Sequence, residues 1–473
     1  MINLILIFPL IACLILLITK KKFLNNFFIT LYAIMHFVVS GAACYNVELF
    51  PVWKNTAFFE ITPLNKLFLI VLSIVFLAFA FYNNGYMKDD NSNERRLRHY
   101  AYMVLFFVFS MTGAILSTNL GLNWVFIEGT TLASAYLIYF HKTKHSIEAA
   151  WKYVFICSIG IALAFVGIIL LTAATGNLES LYYKDLFMNA KDFNSFWLKM
   201  AFVFIMFGIG TKMGLAPVHF WLPDAHAESP SPVSALLSAA LLNSAFLMII
   251  NVFKITVIAG CDGYARIMLL IMGFLSLFVA AVFVYHINNY KRMLAYSSIE
   301  NMGILAAGLA LGGVGVFAAM IHLTGHSLIK AAFFMTSGNI LKLYDTKKIK
   351  NVEGIISADK KTGWLWVLSF LGIAAFPPSM LFVSEFLMIK TMIKNGDYIL
   401  CALFVILLTI ILYGIGHSVI GMSFGVKNEN IQKKKLGLSM YLPQIILLIL
   451  AFLLGIYMPD FVSNLFTEAV GEL

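Results

Sequence analysis

From its first residues the sequence alternates apolar runs of about twenty residues with short polar joins. A helix needs roughly 20 apolar residues to cross the hydrocarbon core of a bilayer. On that spacing the chain predicts about fourteen helical spans, centred on 3–19, 27–47, 64–83, 100–118, 121–140, 149–173, 197–221, 233–253, 267–287, 293–312, 315–341, 364–390, 398–424 and 438–457. Joins such as Ser117 to Gly121 and Leu311 to Gly315 are too short to hold a soluble domain, so one compact bundle is expected. The opening MINLILIFPLIACLILLITKKK has the length of a secretion signal, but its charges follow the apolar run and no small-residue cleavage site is present. It is expected to stay as the first span.

The polar positions set the orientation. Odd-numbered joins carry Lys20, Lys21, Lys22, Lys88, Arg95, Arg96, Arg98, Lys142, Lys144, Lys291 and Arg292, and later Lys342, Lys347, Lys348, Lys350, Lys360, Lys361, Lys427, Lys433, Lys434 and Lys435. Even-numbered joins hold only Lys54, Lys184, Lys191, Lys254, Arg266 and Lys394, and the tail (Asp460, Glu468, Glu472) is acidic. Positive charge stays on the cytoplasmic side. Odd joins are therefore expected inside the cell membrane and both termini outside. With 61% apolar and 12% charged residues the chain is excluded from the soluble globular class. Its net charge of +10 follows from these joins rather than from a nucleic-acid site. The five cysteines, Cys13, Cys44, Cys157, Cys261 and Cys401, form no C-x-x-C pair. No iron–sulfur cluster, disulfide framework or bound cofactor is expected, and the chain is not expected to carry electrons itself.

Six basic residues fall inside the predicted spans. Lys66, Lys152, Lys199 and Lys390 lie near span ends, where a long stem reaches the interface. Lys212 and Lys330 lie well inside theirs, where an ionisable group costs ~3 kcal/mol or more unless it faces a partner or water. Three carboxylates share that depth: Glu128 in NWVFIEGTTLASAY, Glu300 in YSSIENMGI and Glu385 in FPPSMLFVSEFLMIK. In IHLTGHSLIKAAFF the residues His322, His326 and Lys330 recur every fourth position, on one helical face. That stripe suits a proton path. Two histidines at this spacing also suit a metal, but no carboxylate falls on an adjacent turn, and no metal site is expected.

Two spans carry breaks. Gly214 and Pro217 interrupt span seven just after Lys212, in GTKMGLAPVHFWLPDAHAESPSP, and Pro377 with Pro378 interrupts span twelve just before Glu385. Backbone groups freed at membrane depth are tolerated where protein or water satisfies them, which is where transporters place ion sites. The breaks lie five spans apart, an odd number, so a repeat of spans four to eight in nine to thirteen is inverted in the membrane. This divides the chain into 1–99 (spans one to three), 100–260 (first repeat), 261–430 (second repeat) and 431–473 (span fourteen and tail). On that scheme Glu128 corresponds to Glu300, Lys212 to Glu385 and Lys152 to Lys330.

GTKMGLAPVHFWLPDAHAESPSPVSALLS, YKRMLAYSSIENMG, HLTGHSLIKAAFFMTSG and FPPSMLFVSEF occur in this order over about residues 60 to 425. Together they resemble the proton-translocating antiporter-like subunits shared by respiratory complex I, Mrp-type cation/proton antiporters and membrane-bound hydrogenases. The resemblance implies an all-α membrane fold of fourteen helices with two inverted five-helix repeats and broken helices seven and twelve. It implies a polar axis onto which Glu128, Lys212, Lys330 and Glu385 carry over, with Glu128 and Lys212 a pair that forms and breaks; His219, Asn243, Glu300, His322 and His326 are expected along the same ion path. One departure is Asn243 in ALLNSAFL, where complex I and Mrp members have a lysine; asparagine carries no proton charge, so a relay through His322 or His326 is expected instead. ALLNSAFL, SPSPVSALLS and IENMG, and a chain that stops after span fourteen without a lateral helix, are most similar to the hydrogenase-4 F-subunit branch.

Three functions follow as expectations. The first is the proton-translocating subunit of a redox-driven complex of the group 4 nickel–iron hydrogenase type, partnered by other membrane subunits, a peripheral redox arm and the lipid bilayer. The second is a cation/proton antiporter subunit of the Mrp type, or an M-type subunit of complex I, with Na⁺ as an alternative ion. The third is a membrane anchor with a vestigial channel, which the retained Glu128, Lys212, Lys330 and Glu385 argue against.

Overall fold

A computed structural model describes residues 2–19, 21–44, 57–88, 93–176, 178–425 and 435–472. Of the join charges named above, Lys20, Lys54, Lys427, Lys433 and Lys434 lie outside these residues, as does the division expected at 430/431. The helices are α1 (Ile2–Ile18), α2 (Lys22–Cys44), α3 (Pro63–Tyr86), α4 (Glu94–Leu116), α5 (Leu120–Ile138), α6 (Lys144–Ala174), α7a (Ser195–Met213), α7b (Leu222–Glu228), α8 (Ser231–Ile258), α9 (Asp262–Val284), α10 (Tyr290–Leu311), α11 (Val314–Tyr344), α12a (Lys360–Ile373), α12b (Met380–Asn395), α13 (Tyr398–Ser423), α14 (Leu442–Ile456) and α15 (Asp460–Gly471). Short helical turns connect some of them. Among the described residues no strand forms, only isolated bridges.

Eleven of these helices are long and apolar enough to cross a membrane, fewer than the fourteen expected. The difference has three sources. Helix α1 is short, α5 is interrupted by Asn123, Glu128, Thr130, Thr131 and Ser134, and the expected span 364–390 is divided into α12a and α12b. Several bases counted as join residues belong to helices instead: Arg95, Arg96 and Arg98 open α4, Lys144 opens α6, and Lys360 and Lys361 open α12a. Helices α6 and α11, at 31 residues each, are longer than a bilayer core requires.

Helix α8 is the centre of the bundle. It is apolar on every side, as its sequence of Leu, Ala, Ile and Val predicts, and its whole membrane window is buried. Leu237–Leu241 forms a π-turn inside it, which no sequence signal announced. At the periphery Trp151 and Phe155 of α6 and Ile399 and Tyr413 of α13 are exposed, the apolar surface a lipid-facing helix presents.

Asparagines start α5 and α10 in the same way. The Asn119 side chain accepts from the Gly121 and Leu122 amides at 2.9 and 3.1 Å, and Asn289 accepts from Lys291 and Arg292 at 2.9 and 3.3 Å. Each asparagine also makes an isolated antiparallel bridge, Asn119 with Tyr182 and Asn289 with Lys348. The bridged residues precede α7a and α12a, five helices apart.

Both expected breaks are present, and both end the preceding helix in the same way. Gly214 adopts φ +80°, the left-handed conformation, and Leu215 donates back to the Gly210 carbonyl at 2.9 Å. Ala375 adopts φ +49°, and Phe376 donates to Leu371 at 3.0 Å. Superposing Gly214 on Ala375 places Ile373 opposite Lys212 and Asp224 opposite Glu385. The expected Lys212–Glu385 correspondence is therefore corrected: Lys212 precedes its break and Glu385 follows its own.

Protein closes both breaks. At the first, Ala216 donates to the Ser276 hydroxyl of α9 at 2.8 Å, and the Trp221 indole donates to the Thr211 carbonyl at 2.7 Å. At the second, Ser379 caps α12b by accepting from Phe382 at 3.3 Å, and α14 lies so close that a Cβ on Gly455 would fall 2.0 Å from the Pro378 carbonyl. Gly455→Ala is accordingly expected to displace α14 from the break at a cost of about 1–3 kcal/mol. A lowered unfolding temperature of the purified protein in detergent is the check; an unchanged one would mean that α14 yields freely.

Candidate functional site

Lys212 occupies the last turn of α7a, where the helix dipole favours a cation, and is fully buried. Its ammonium donates to the Tyr153 hydroxyl of α6 at 2.8 Å and lies 4.8 Å from that ring. Tyr153 in turn bonds Ser134 of α5 at 2.6 Å and packs edge-on against Trp221 at 4.9 Å. Glu128 is half-buried and accepts from Thr131 at 3.0 Å. The expected Glu128–Lys212 ion pair is therefore not closed in this conformation, because the tyrosine hydroxyl holds the lysine.

The second half holds a denser set of buried polar groups. Lys330 is fully buried, with its ammonium on the Leu294 carbonyl of α10 at 2.8 Å. Glu300 is buried and accepts from Ser297 at 3.2 Å. His322 bridges Asn301 on α10 (Nε2, 3.0 Å) and Ser384 on α12b (Nδ1, 2.9 Å). The Asn301 amide nitrogen is fixed on the Ser297 carbonyl at 2.6 Å, so its oxygen faces the imidazole and Nε2 carries the proton. Glu300 and Glu385 line one cavity of about 170 Å³ that reaches Ala374 and Ala375 at the break of α12.

Between the halves, Asn243 donates to Ser327 of α11 at 2.7 Å and to the Ala239 carbonyl at 2.9 Å, while its own oxygen has no protein partner. His326 is fully buried, and neither ring nitrogen meets a protein partner. His219, just beyond the first break, is buried with Nδ1 unpartnered and its ring 6.4 Å from Tyr296. The predicted site residues thus fall into two clusters, Glu128 with Lys212 and Glu300 with His322, Lys330 and Glu385. Asn243 of α8 is bound to Ser327 of α11, and His326 lies one turn from both His322 and Lys330, on the face that carries the second cluster. Lys152 does not belong to either. It is exposed and pairs with Glu148 at 2.6 Å and Asp224 at 3.2 Å, so its expected equivalence to buried Lys330 is corrected. Lys390 is likewise exposed, and Lys66 and Lys199 are half-buried, as residues near span ends should be.

Residues 117–411 match the family described as NADH:quinone oxidoreductase/Mrp antiporter, transmembrane. A curated relative, the hydrogenase-4 component F homolog of Methylacidiphilum infernorum (isolate V4), is 34% identical over 98% of this chain and 97% of its own length. The chain belongs to this antiporter-like membrane family. Its fold also matches a chain of an archaeal respiratory membrane complex, the membrane-bound sulfane sulfur reductase, with TM-score 0.89 at 23% identity, covering 100% of this chain and 97% of the other. It matches a chain of the Mrp complex from Dietzia sp. DQ12-45-1b with TM-score 0.88 at 17% identity, at the same coverage of each. These relatives are parts of multisubunit membrane complexes.

In this family member, sequence reasoning missed three buried residues. Tyr153 was overshadowed by its charged neighbour Lys152. His226 is buried, stacked on Phe334 at 4.8 Å, with both nitrogens unpartnered. Lys291, expected as a solvated join residue, is instead fully buried in the first turn of α10 and donates to the Ser229 carbonyl at 2.6 Å. The one available signal was its place at the head of YKRMLAYSSIENMG, where helical spacing puts Lys291 and Arg292 on different faces. Around it, Asp224 of α7b pairs with Arg292 as well as Lys152, and Glu228 pairs with Lys347 at 3.2 Å. The segment after the first break is thereby tied to α6, to α10 and to the join beyond α11.

Lys291 sits at a helix N-terminus, the wrong end of the dipole for a cation, and its burial costs several kcal/mol against about 1.5–3 for its one hydrogen bond. Lys291→Met is expected to raise the unfolding temperature by a few degrees. Thermal unfolding of the purified variant checks the sign. A fall would show that the Ser229 contact outweighs the burial.

Proposed function

We propose that the chain is the ion-translocating, antiporter-like subunit of a redox-driven membrane complex of the group 4 hydrogenase type, carrying protons along its buried polar axis. The carrying observation is Lys212. A fully buried ammonium offers three donors and here has one neutral partner, an arrangement that a static core would avoid and a group that changes partners requires. The 34% identity to a hydrogenase-4 component F homolog over nearly its full length supports the hydrogenase-type assignment.

In this reading the chain crosses the cytoplasmic membrane fourteen times with both termini outside. Residues 1–99 hold helices one to three, 100–260 and 261–430 are inverted repeats, and 431–473 hold helix fourteen and the tail. The equivalent breaks and the paired Asn119 and Asn289 bridges support the repeats. A partner arm oxidises the electron donor, and the released energy drives Lys212 between Tyr153 and Glu128. Protons pass from the first cluster past Asn243 and His326, whose unpartnered atoms suit ordered water, to Lys330, Glu300 and Glu385. Loss of the lysine proton is favoured when Glu128 is distant and opposed when it is near. A second reading, exchange of Na⁺ for protons in a Mrp-type assembly, draws on the fold shared with the Dietzia complex.

The test is ion translocation in inverted membrane vesicles carrying the assembled complex, with electron transfer recorded in parallel. Lys212→Met is expected to lower translocation by roughly tenfold or more with the complex intact. Translocation at the normal rate would overturn the proposal. A sodium-selective ionophore separates the two readings: it leaves a primary proton gradient standing and collapses a sodium gradient.

A further inference from the structure

Lys212 and Glu128 do not touch, yet a nearly continuous line of hydroxyl groups joins them. The Lys212 ammonium donates to the Tyr153 oxygen at 2.8 Å. Ser134 spends its own hydrogen on the Thr130 carbonyl at 2.5 Å, so in the 2.6 Å contact between Tyr153 and Ser134 the tyrosine is the donor. One helical turn before Ser134, on the same side of α5, Thr131 donates to Glu128 at 3.0 Å. Ser134 takes the tyrosine hydrogen here, and Thr131 is the next hydroxyl along that side of α5. With Ser134 the line stops at a backbone carbonyl. With Thr131 it ends on a carboxylate.

We propose that Tyr153 is the relay residue between Lys212 and Glu128, its hydroxyl turning from Ser134 to Thr131 to complete a proton wire. The inference rests on the translocation reading above. In the wire, the ammonium gives a proton to the Tyr153 oxygen, and Tyr153 passes its own hydrogen to the Thr131 oxygen. Thr131 passes its hydrogen to Glu128. Lysine loses one proton, the carboxylate gains one, and each hydroxyl ends with the single hydrogen it began with. While the hydroxyl faces Ser134 the two charged groups are held apart and no proton crosses, so the rotation is the switch. The edge-on packing of Trp221 on the Tyr153 ring at 4.9 Å fixes the ring and leaves the hydroxyl hydrogen as the moving part. Trp221 lies beyond the first break and its indole is bound to the Thr211 carbonyl, so movement of the break reaches the tyrosine directly.

Four variants measured in vesicles with the complete complex, for translocation per electron transferred, test the relay. Tyr153→Phe keeps the ring contacts and removes the oxygen; it is expected to lower translocation by roughly tenfold or more. Thr131→Val is expected to do the same, and Thr131→Ser to restore it to within about twofold, a rescue that a packing role would not produce. Ser134→Ala removes the acceptor that holds the wire open; it is expected to lower translocation per electron by about twofold or more, since a wire that is always complete lets protons return, and an unchanged value would overturn the switch. Native gels report assembly, and if Tyr153→Phe does not assemble, the Thr131 pair decides. Normal translocation in Tyr153→Phe, or in Thr131→Val, would overturn the relay. Lys212→Met and Glu128→Gln run beside them: if both abolish translocation while Tyr153→Phe does not, the relay alone falls, and if both translocate normally the functional reading falls with it.

Discussion

A charged or polar group at membrane depth must find its partner inside the protein, because lipid offers none. That constraint organises this molecule. Two helices are broken in the middle of a bundle, and each break frees backbone groups that neighbouring elements then have to satisfy. Ser276 and Trp221 do so at the first, and the Ser379 side chain does so at the second. The fully buried α8 and the tight contacts around it follow from the same need to keep lipid away from these sites.

The same constraint makes the buried charges informative. Lys212, Lys291 and Lys330 are each fully buried, and each meets a single neutral partner: a tyrosine hydroxyl, the Ser229 carbonyl and the Leu294 carbonyl. Neutral acceptors hold an ammonium more weakly than a carboxylate does. Neither Lys212 nor Lys330 is held by a carboxylate in this conformation. By contrast the charges at the membrane edge, Lys152, Asp224, Arg292, Glu228 and Lys347, are paired with opposite charges. Buried cations with replaceable partners and edge charges with fixed ones describe a movable interior inside a secured frame.

α7b belongs to both parts. It begins just beyond the break that ends at Lys212, and its acidic residues are bound to the first and second halves of the chain. Any rearrangement at the first break therefore pulls on α6, on α10 and on the join after α11 together. Packed helices and ion pairs move between discrete arrangements rather than deforming smoothly. A local change of partner at Lys212 thus takes place beside a segment that is tied to both halves of the chain.

The sequence by itself determined what hydrophobic periodicity and residue chemistry can express. It expressed the order of helices, the two breaks from Gly214, Pro217, Pro377 and Pro378, and the burial of Lys212, Glu300 and Lys330, because a charge far from either end of an apolar run cannot reach the interface. It could not tell which side of a helix faces a neighbour. Lys152 and Tyr153 are adjacent in sequence and point to opposite environments, and only packing against Lys212 and Ser134 singled out the tyrosine. Lys291 and Arg292 were both counted as solvated, and only the docking of α10 against the segment before α8 buried one of them. The register of the two breaks, which sets Asp224 rather than Lys212 against Glu385, likewise depends on backbone conformations at Gly214 and Ala375 that no residue-type pattern encodes. Tertiary structure decided these points because partner choice depends on the rotation and spacing of helices distant in sequence.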